Sequence, residues 1–230
     1  MSGSPLPAGL NRRNFLAVAA GIAAAAAVPS GRRRLIQMNG YPIDAETPLD
    51  QLTTYITPND LFFVRSHWNP TMPDRKTWAL TVDGEVERPL RLTVADLARM
   101  PQASATCVLQ CAGNGRSLHK PVVPGVQWGQ GAVGNARWTG VRVRDLLERA
   151  GVKPEARHVH TFGSDDPPFQ VPPFHRSVEI EKLLADGIVA TAMNGAPLPA
   201  AHGAPARLVV PGWAGDHWMK WLTRLSPQPE

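Results

Sequence analysis

Cys107-Val-Leu-Gln-Cys111-Ala-Gly-Asn-Gly-Arg116-Ser runs from an apolar, strand-like segment into a glycine-broken loop. That order places a thiol at the end of a strand and at the mouth of a pocket. Glycine carries no Cβ, so the Ala112-Gly113-Asn114-Gly115 loop lets backbone N–H groups approach a ligand. The chain has 230 residues and 2 cysteines, and both cysteines lie in this run. Any sulfur chemistry is confined to it.

A disulfide is one reading of the pair. On an extended segment, at about 3.3 Å per residue, the Cα atoms lie roughly 13 Å apart, beyond the roughly 7 Å that a bridge spans. A helical segment would bring them within reach. Two buried structural thiols are a second reading, and it suits Cys107. Cys111, at the head of the loop, suits a ligand site. A lone thiolate does not build a zinc site, which takes four ligands, and the 7 histidines show no zinc spacing. A soft thiolate can be the single protein ligand to a metal that a cofactor otherwise holds. A cysteine nucleophile with a histidine base is the competing enzyme reading, with His119, His160, His202 and His217 as candidates.

The N-terminus reads Asn11-Arg12-Arg13-Asn14-Phe15-Leu16 and continues into an alanine-rich run to Val28. Paired arginines before a modest apolar stretch predict a twin-arginine export signal over residues 1–34. The apolar run is shorter than the roughly 20 residues of a membrane span. An uncleaved anchor or a buried alanine helix is the alternative. A twin-arginine substrate is exported folded, so the signal suggests the twin-arginine translocase as a partner, a cofactor inserted beforehand and a periplasmic location. The chain has 24 Lys+Arg against 19 Asp+Glu, and five of the arginines stand in the first 34 residues with no acid among them. The body is formally neutral, and the basic excess gives no support to nucleic-acid binding.

Residues 40–230 read as one domain, large enough to bury a core. The chain's 23 prolines and 20 glycines are spread along its length, which predicts many short elements with long loops. Strands are expected over Trp78–Val82, running into an Asp83-Gly84 hairpin turn, over Ser104–Cys111 as a buried strand, and over His158–Phe162, Ile188–Met193 and Ala206–Val210. Helices are expected from a Thr93/Asp96 capping box through Arg99, over Val141–Ala150 with Gly151 as its C-terminal cap, and over Val178–Ala185. The irregular order favours an α+β fold with mixed or antiparallel sheets over a doubly wound one.

Several segments together resemble the sulfite oxidase family of molybdopterin enzymes. They are Leu61-Phe-Phe-Val-Arg65-Ser-His67, Leu109-Gln-Cys111-Ala-Gly-Asn114, Trp128 and Gly131 through Arg137-Trp138-Thr-Gly140. Met193-Asn-Gly195 through Pro199, His202 through Arg207, Val210-Pro-Gly-Trp213 and Lys220-Trp221-Leu222 complete the series, in family order over about 160 residues. The resemblance implies the family's molybdopterin-binding fold. It implies Cys111 as the thiolate ligand to molybdenum, with one pterin and two oxygens supplying the rest. Phe63, Val64, Arg65, Ser66 and His67 would line the pterin, and Arg65 would also face an oxyanion pocket. Asp165, His202, Arg207, Trp218, Met219 and Lys220 would hold the pterin and its phosphate, to which Arg and Lys are suited. Arg116 and Trp128 would shape the substrate pocket. The implied activity is oxidation of sulfite or a related small oxyanion, with electrons passed to a cytochrome c or a membrane haem subunit.

The chain also departs from the family. Phe174 stands where sulfite-oxidising members carry a tyrosine, and Tyr41 and Tyr55 are the chain's only tyrosines. The phenol is missing unless His175 or Arg176 substitutes for it. Pro124 stands where the animal enzymes carry a lysine. The family's immunoglobulin-like dimerisation domain, expected after Leu225, is not in the sequence, nor is a CxxCH haem motif. These departures keep two alternatives open. One is a reductase of methionine sulfoxide in periplasmic proteins. The other is a cofactor-binding domain without catalysis.

Overall fold

The computed structural model describes residues 34–230 apart from 41, 69–72, 166 and 168–170. The expected export signal, apart from Arg34, and one of the tyrosines, Tyr41, therefore lie outside the described residues. Arg34–Glu230 forms one compact unit.

The strands, in chain order, are β1 (Ile36–Gly40), β2 (Ile43–Glu46), β3 (Ala79–Val82), β4 (Leu90–Thr93), β5 (Ala103–Gln110) and β6 (Val133–Arg142), then β7 (His158–Gly163), β8 (His175–Glu179), β9 (Ile188–Met193), β10 (Ala196–Pro197), β11 (Arg207–Val209) and β12 (Leu222–Gln228). The helices are α1 (Val94–Arg99), α2 (Val143–Ala150) and α3 (Ile180–Asp186). β1 and β2 form a two-stranded sheet. One five-stranded sheet runs β10-β9-β6-β5, with β11 also paired to β9. The other runs β4-β3-β12-β7-β8, and only its β12–β3 pairing is parallel. Short helices on mixed and antiparallel sheets make the fold α+β. Among the described residues no helix is long and apolar enough to cross a membrane.

Local chemistry explains the elements. Thr93 accepts the Asp96 backbone N–H at 3.2 Å while Asp96 accepts that of Thr93 at 2.8 Å, the expected capping box. α2 buries Val143, Leu146, Leu147 and Ala150 on one stripe and ends at Gly151, whose φ is +67°. β9 turns into β10 through Asn194 and Gly195, both at positive φ, the geometry of the expected Asn-Gly turn. In β6, Gly134 makes room for the Phe62 ring, and Gly140 packs directly on the Val189 carbonyl.

Four expectations need correction. β5 is an edge strand rather than a buried one, with Ser104, Thr106, Val108 and Gln110 exposed and Leu109 buried. Among the described residues its only strand partner is β6. β3 and β4 are joined across residues 83–89, not by a tight Asp83-Gly84 turn; Gly84 instead packs against the Pro227 carbonyl. Val178 belongs to β8, where it pairs with Val159, and α3 starts only at Ile180. Val141 and Arg142 complete β6 before α2 begins.

Candidate functional site

The Cys111 backbone N–H, one residue beyond β5, donates to the Ala132 carbonyl at 3.0 Å, and Asn114 Oδ1 accepts from Ala132 N–H at 3.0 Å. The loop is thereby pinned to the start of β6. Among the described residues Cys111 Sγ accepts one hydrogen bond, from the Gly113 N–H at 3.4 Å. Both cysteines are free thiols. Cys107 packs against the core, and burial pushes its thiol up to about 11. Cys111 lines a cavity of about 290 Å³.

Twelve predicted residues meet at that cavity: Cys111, Phe63, Arg65, His67, Arg116, Trp128, Asp165, His202, Arg207, Trp218, Met219 and Lys220. Val64 and Ser66 do not line it. Val64 bridges to Ala45 and is buried, so it ties the 61–67 segment to β2. Ser66 is buried behind the wall, and its Oγ accepts from Lys220 Nζ at 3.1 Å.

Arg207, at the start of β11, is only 3% exposed. Its Nη1 donates to the His202 carbonyl at 3.0 Å and its Nη2 to the Trp218 carbonyl at 3.1 Å. The guanidinium lies 4.9 Å from the centre of the Trp138 ring. Its Nε has no hydrogen-bond partner among the described residues. Burial pulls its pKa down to about 9, so the group is still charged at neutral pH. Lys220 Nζ donates to the Ala201 carbonyl at 3.0 Å and sits over the Trp221 ring at 4.1 Å. Burial, reinforced by Arg207, pushes its pKa well below the usual lysine range. Burial also lowers His202 to about 4. Its Nε2 lies 3.1 Å from the Asn59 carbonyl, so the neutral ring donates there. His67 is lowered by burial and by Arg65 and Arg176, and burial raises Asp165.

Among the described lining residues five cations (Arg65, Arg116, Arg176, Arg207 and Lys220) face two carboxylates, Asp165 and Asp216. Such a wall favours an anionic guest. No three His, Cys, Asp or Glu side chains among the described residues gather where they could hold a metal ion. The donor set of one soft thiol, an orphaned buried guanidinium and a desolvated ammonium fits a metal held mainly by an anionic cofactor.

The sequence offers no site role for Asp44 or Asp216, and for Arg176 only that of a substitute for the missing phenol. Asp44 is buried beneath Arg65. Arg176 and Asp216 line the cavity together with Phe174. None stands in a motif, and only the sheet packing brings them to the site.

The comparisons agree with this geometry. Residues 67–230 match the model of the oxidoreductase molybdopterin binding domain. The chain is 42% identical to mitochondrial sulfite oxidase of Homo sapiens over 201 residues, covering 82% of this chain and 36% of that protein. It is 37% identical to the NAD(P)H nitrate reductase of Hordeum vulgare over 204 residues, 83% of this chain and 23% of that one. The crystal structure of the sulfane dehydrogenase SoxCD from Paracoccus pantotrophus superposes with a TM-score of 0.75 at 32% identity, over 100% of this chain and 56% of that chain. The chain spans between 33% and 43% of the length of the animal sulfite oxidases it matches. A thiol-headed loop, a cationic cavity and a family model that matches most of the chain lead to one assignment: this chain belongs to the oxidoreductase molybdopterin-binding domain family, alongside the sulfite oxidases.

Proposed function

We propose that the chain is the catalytic part of a periplasmic molybdenum oxidoreductase that oxidises sulfite, or a related small sulfur oxyanion, to a more oxidised anion. The observation that carries this reading is the single Cys111 thiol in a cavity whose charged lining is mostly cationic. The sulfite oxidase and sulfane dehydrogenase relatives support a sulfur substrate. When bound, the molybdenum cofactor supplies oxygen-atom transfer and takes up two electrons. Cys111 would be its protein ligand. Arg207 and Lys220 would face its phosphate, an anion that relieves two desolvated cations. His202, Asp165, Trp218 and Met219 would complete the cradle, with Phe63, Arg65 and His67 along the pterin and with Val64 and Ser66 supporting that segment from behind.

Arg65 and Arg116 would hold the substrate dianion beside the reacting centre. Placement and charge compensation in a half-enclosed site are the contributions that such groups make to rate. Trp128, fully buried on the wall, would exclude water. Electrons would pass singly to a cytochrome c or a membrane haem subunit. The Arg12-Arg13 pair would direct export of the folded, loaded protein through the twin-arginine translocase.

A second reading, reduction of methionine sulfoxide, is favoured by Phe174. It lines the cavity in place of a tyrosine and offers no hydroxyl. One set of assays separates the two. Protein from a host that makes the cofactor is assayed for molybdenum, for sulfite-dependent reduction of cytochrome c, and for methionine sulfoxide reduction by a reduced dye. The sulfite reading expects one molybdenum per chain and activity only in the first assay. Absence of molybdenum, or activity only with the sulfoxide, overturns it. For export, the Arg12→Lys, Arg13→Lys double variant is expected to stay in the cytoplasm, as read by fractionation.

A further inference from the structure

Arg65, His67, Phe174 and Arg176 form a row along the cavity wall. Arg65 Nη2 lies 3.4 Å from His67 Nδ1, and the His67 and Phe174 rings are 4.6 Å apart. The Arg176 guanidinium sits over the Phe174 ring, 4.2 Å from its centre. Its Nη1 donates to the His175 carbonyl at 2.9 Å. Both end members line the cavity. A phenylalanine cannot offer the hydrogen bond of a phenol, but its ring face attracts a guanidinium. At this wall the polar function therefore belongs to Arg176.

Its charge is only lightly offset. Asp216 Oδ2 lies 3.9 Å from Arg176 Nε, and the two side chains are 40% and 37% exposed. The other oxygen of Asp216 is 3.3 Å from His217 Nδ1. An exposed pair of that length gains little, so most of the positive field of Arg176 remains available to the cavity. His67 reports that field, since Arg176 is among the charges that hold its pKa down.

We propose that Arg176 is a specificity-determining residue that recognises the substrate as a small dianionic sulfur oxyanion, sharing its charge with Arg65 and Arg116. The inference rests on the sulfur-oxyanion reading of this same site. A neutral sulfoxide would gain nothing from a third guanidinium.

The test uses cofactor-loaded protein matched for molybdenum and pterin content. Calorimetry gives the Kd for sulfate, and steady-state assays give KM and kcat for sulfite. Arg176→Ala is expected to weaken sulfate binding and raise KM about tenfold, with the loss in KM rather than kcat, as for a charged contact to an anion. Arg176→Lys recovers most of it. Asp216→Asn shifts the other way and tightens sulfate by about twofold. Should Arg176→Ala fail to fold, Arg176→Gln carries the same expectation. Unchanged sulfate affinity in the Arg176 variants, or an Asp216→Asn loss that parallels theirs, overturns the inference and leaves the sulfur-oxyanion reading intact. A wild-type protein that binds neither sulfate nor sulfite overturns both.

Discussion

Arg65 Nη1 lies 3.2 Å from Oδ1 of Asp44, a carboxylate only 1% exposed, while the Arg65 side chain is 33% exposed. The same oxygen accepts the Ser66 backbone N–H at 3.0 Å, and Oδ2 accepts from Asn39 Nδ2 at 3.0 Å. Asp44 thus aims the arginine that closes one end of the cavity row and fixes the backbone beside it. Asp44→Asn keeps the shape but leaves a single acceptor oxygen and removes the counter-charge. It is expected to destabilise the fold by about 1–3 kcal/mol, the cost of a lost charged hydrogen bond with a partner left buried. A lower urea midpoint with unchanged slope, together with a raised KM for sulfite, is the expected result.

Arg116 threads between two glycines. A Cβ on Gly113 would come within 2.7 Å of its Nη2, and one on Gly125 would overlap its Nη1. Gly125 also sits at φ +116°, a conformation that costs other residues about 1–3 kcal/mol. Gly125→Ala is therefore expected to strain the loop and push the guanidinium out of the pocket. Denaturation should show a loss on the order of 1–3 kcal/mol. The KM for sulfite should rise by about tenfold, as on removal of a charged anion contact.

Those two relationships mark the limit of what the sequence discloses. The glycine-broken loop after Cys111 is legible because glycines stand out, yet they serve a side chain, Arg116, as much as a ligand. The capping box at Thr93 and the turn at Asn194 are legible because their partners lie within three residues. β6 and β12 were not anticipated. Gly134 and Gly140 break the apolar pattern of β6, and their role is to let Phe62 and β9 approach. Near its end β12 carries Ser226-Pro227, which reads as a loop, and its place between β3 and β7 depends on a parallel partner some 140 residues away in sequence. Asp216 belongs to the site by folding alone, and Arg176 is legible only as the neighbour of Phe174 that could replace the phenol.

Cys111→Ser tests the metal reading with little structural cost. Sγ makes one long contact to Gly113, and a serine hydroxyl can take its place. Apart from that contact the loop is held by backbone bonds and by Asn114, none of which involves the sulfur. The melting temperature is expected to move by no more than a few degrees. A hard hydroxyl is a poor substitute for a soft thiolate at molybdenum, so turnover should fall by more than about a hundredfold, beyond the loss typical of changes to groups that only support a ligand. The charge-transfer absorption of the metal–thiolate bond should disappear with it.

His202 gives the site a pH signature. Its folded pKa is about 4, against about 6.5 in an unfolded chain. Between those values the unfolded state binds a proton that the folded state refuses. The stability held by the neutral ring is thus complete above about pH 6.5 and is lost as pH falls toward 4. At pH 5 the loss is about 2 kcal/mol from this group alone. The cause is burial first, with Arg207 and Lys220 adding repulsion against a charged ring. His202→Gln keeps a donor for the Asn59 carbonyl and removes the titration. Urea unfolding of wild type at pH 7.5 and pH 5 should show that drop, and the variant should lose about 2 kcal/mol less across the same interval. An equal drop in both proteins would mean that His202 takes up its proton in the folded state as readily as in the unfolded one, and the neutral ring beside Arg207 and Lys220 would have to be abandoned.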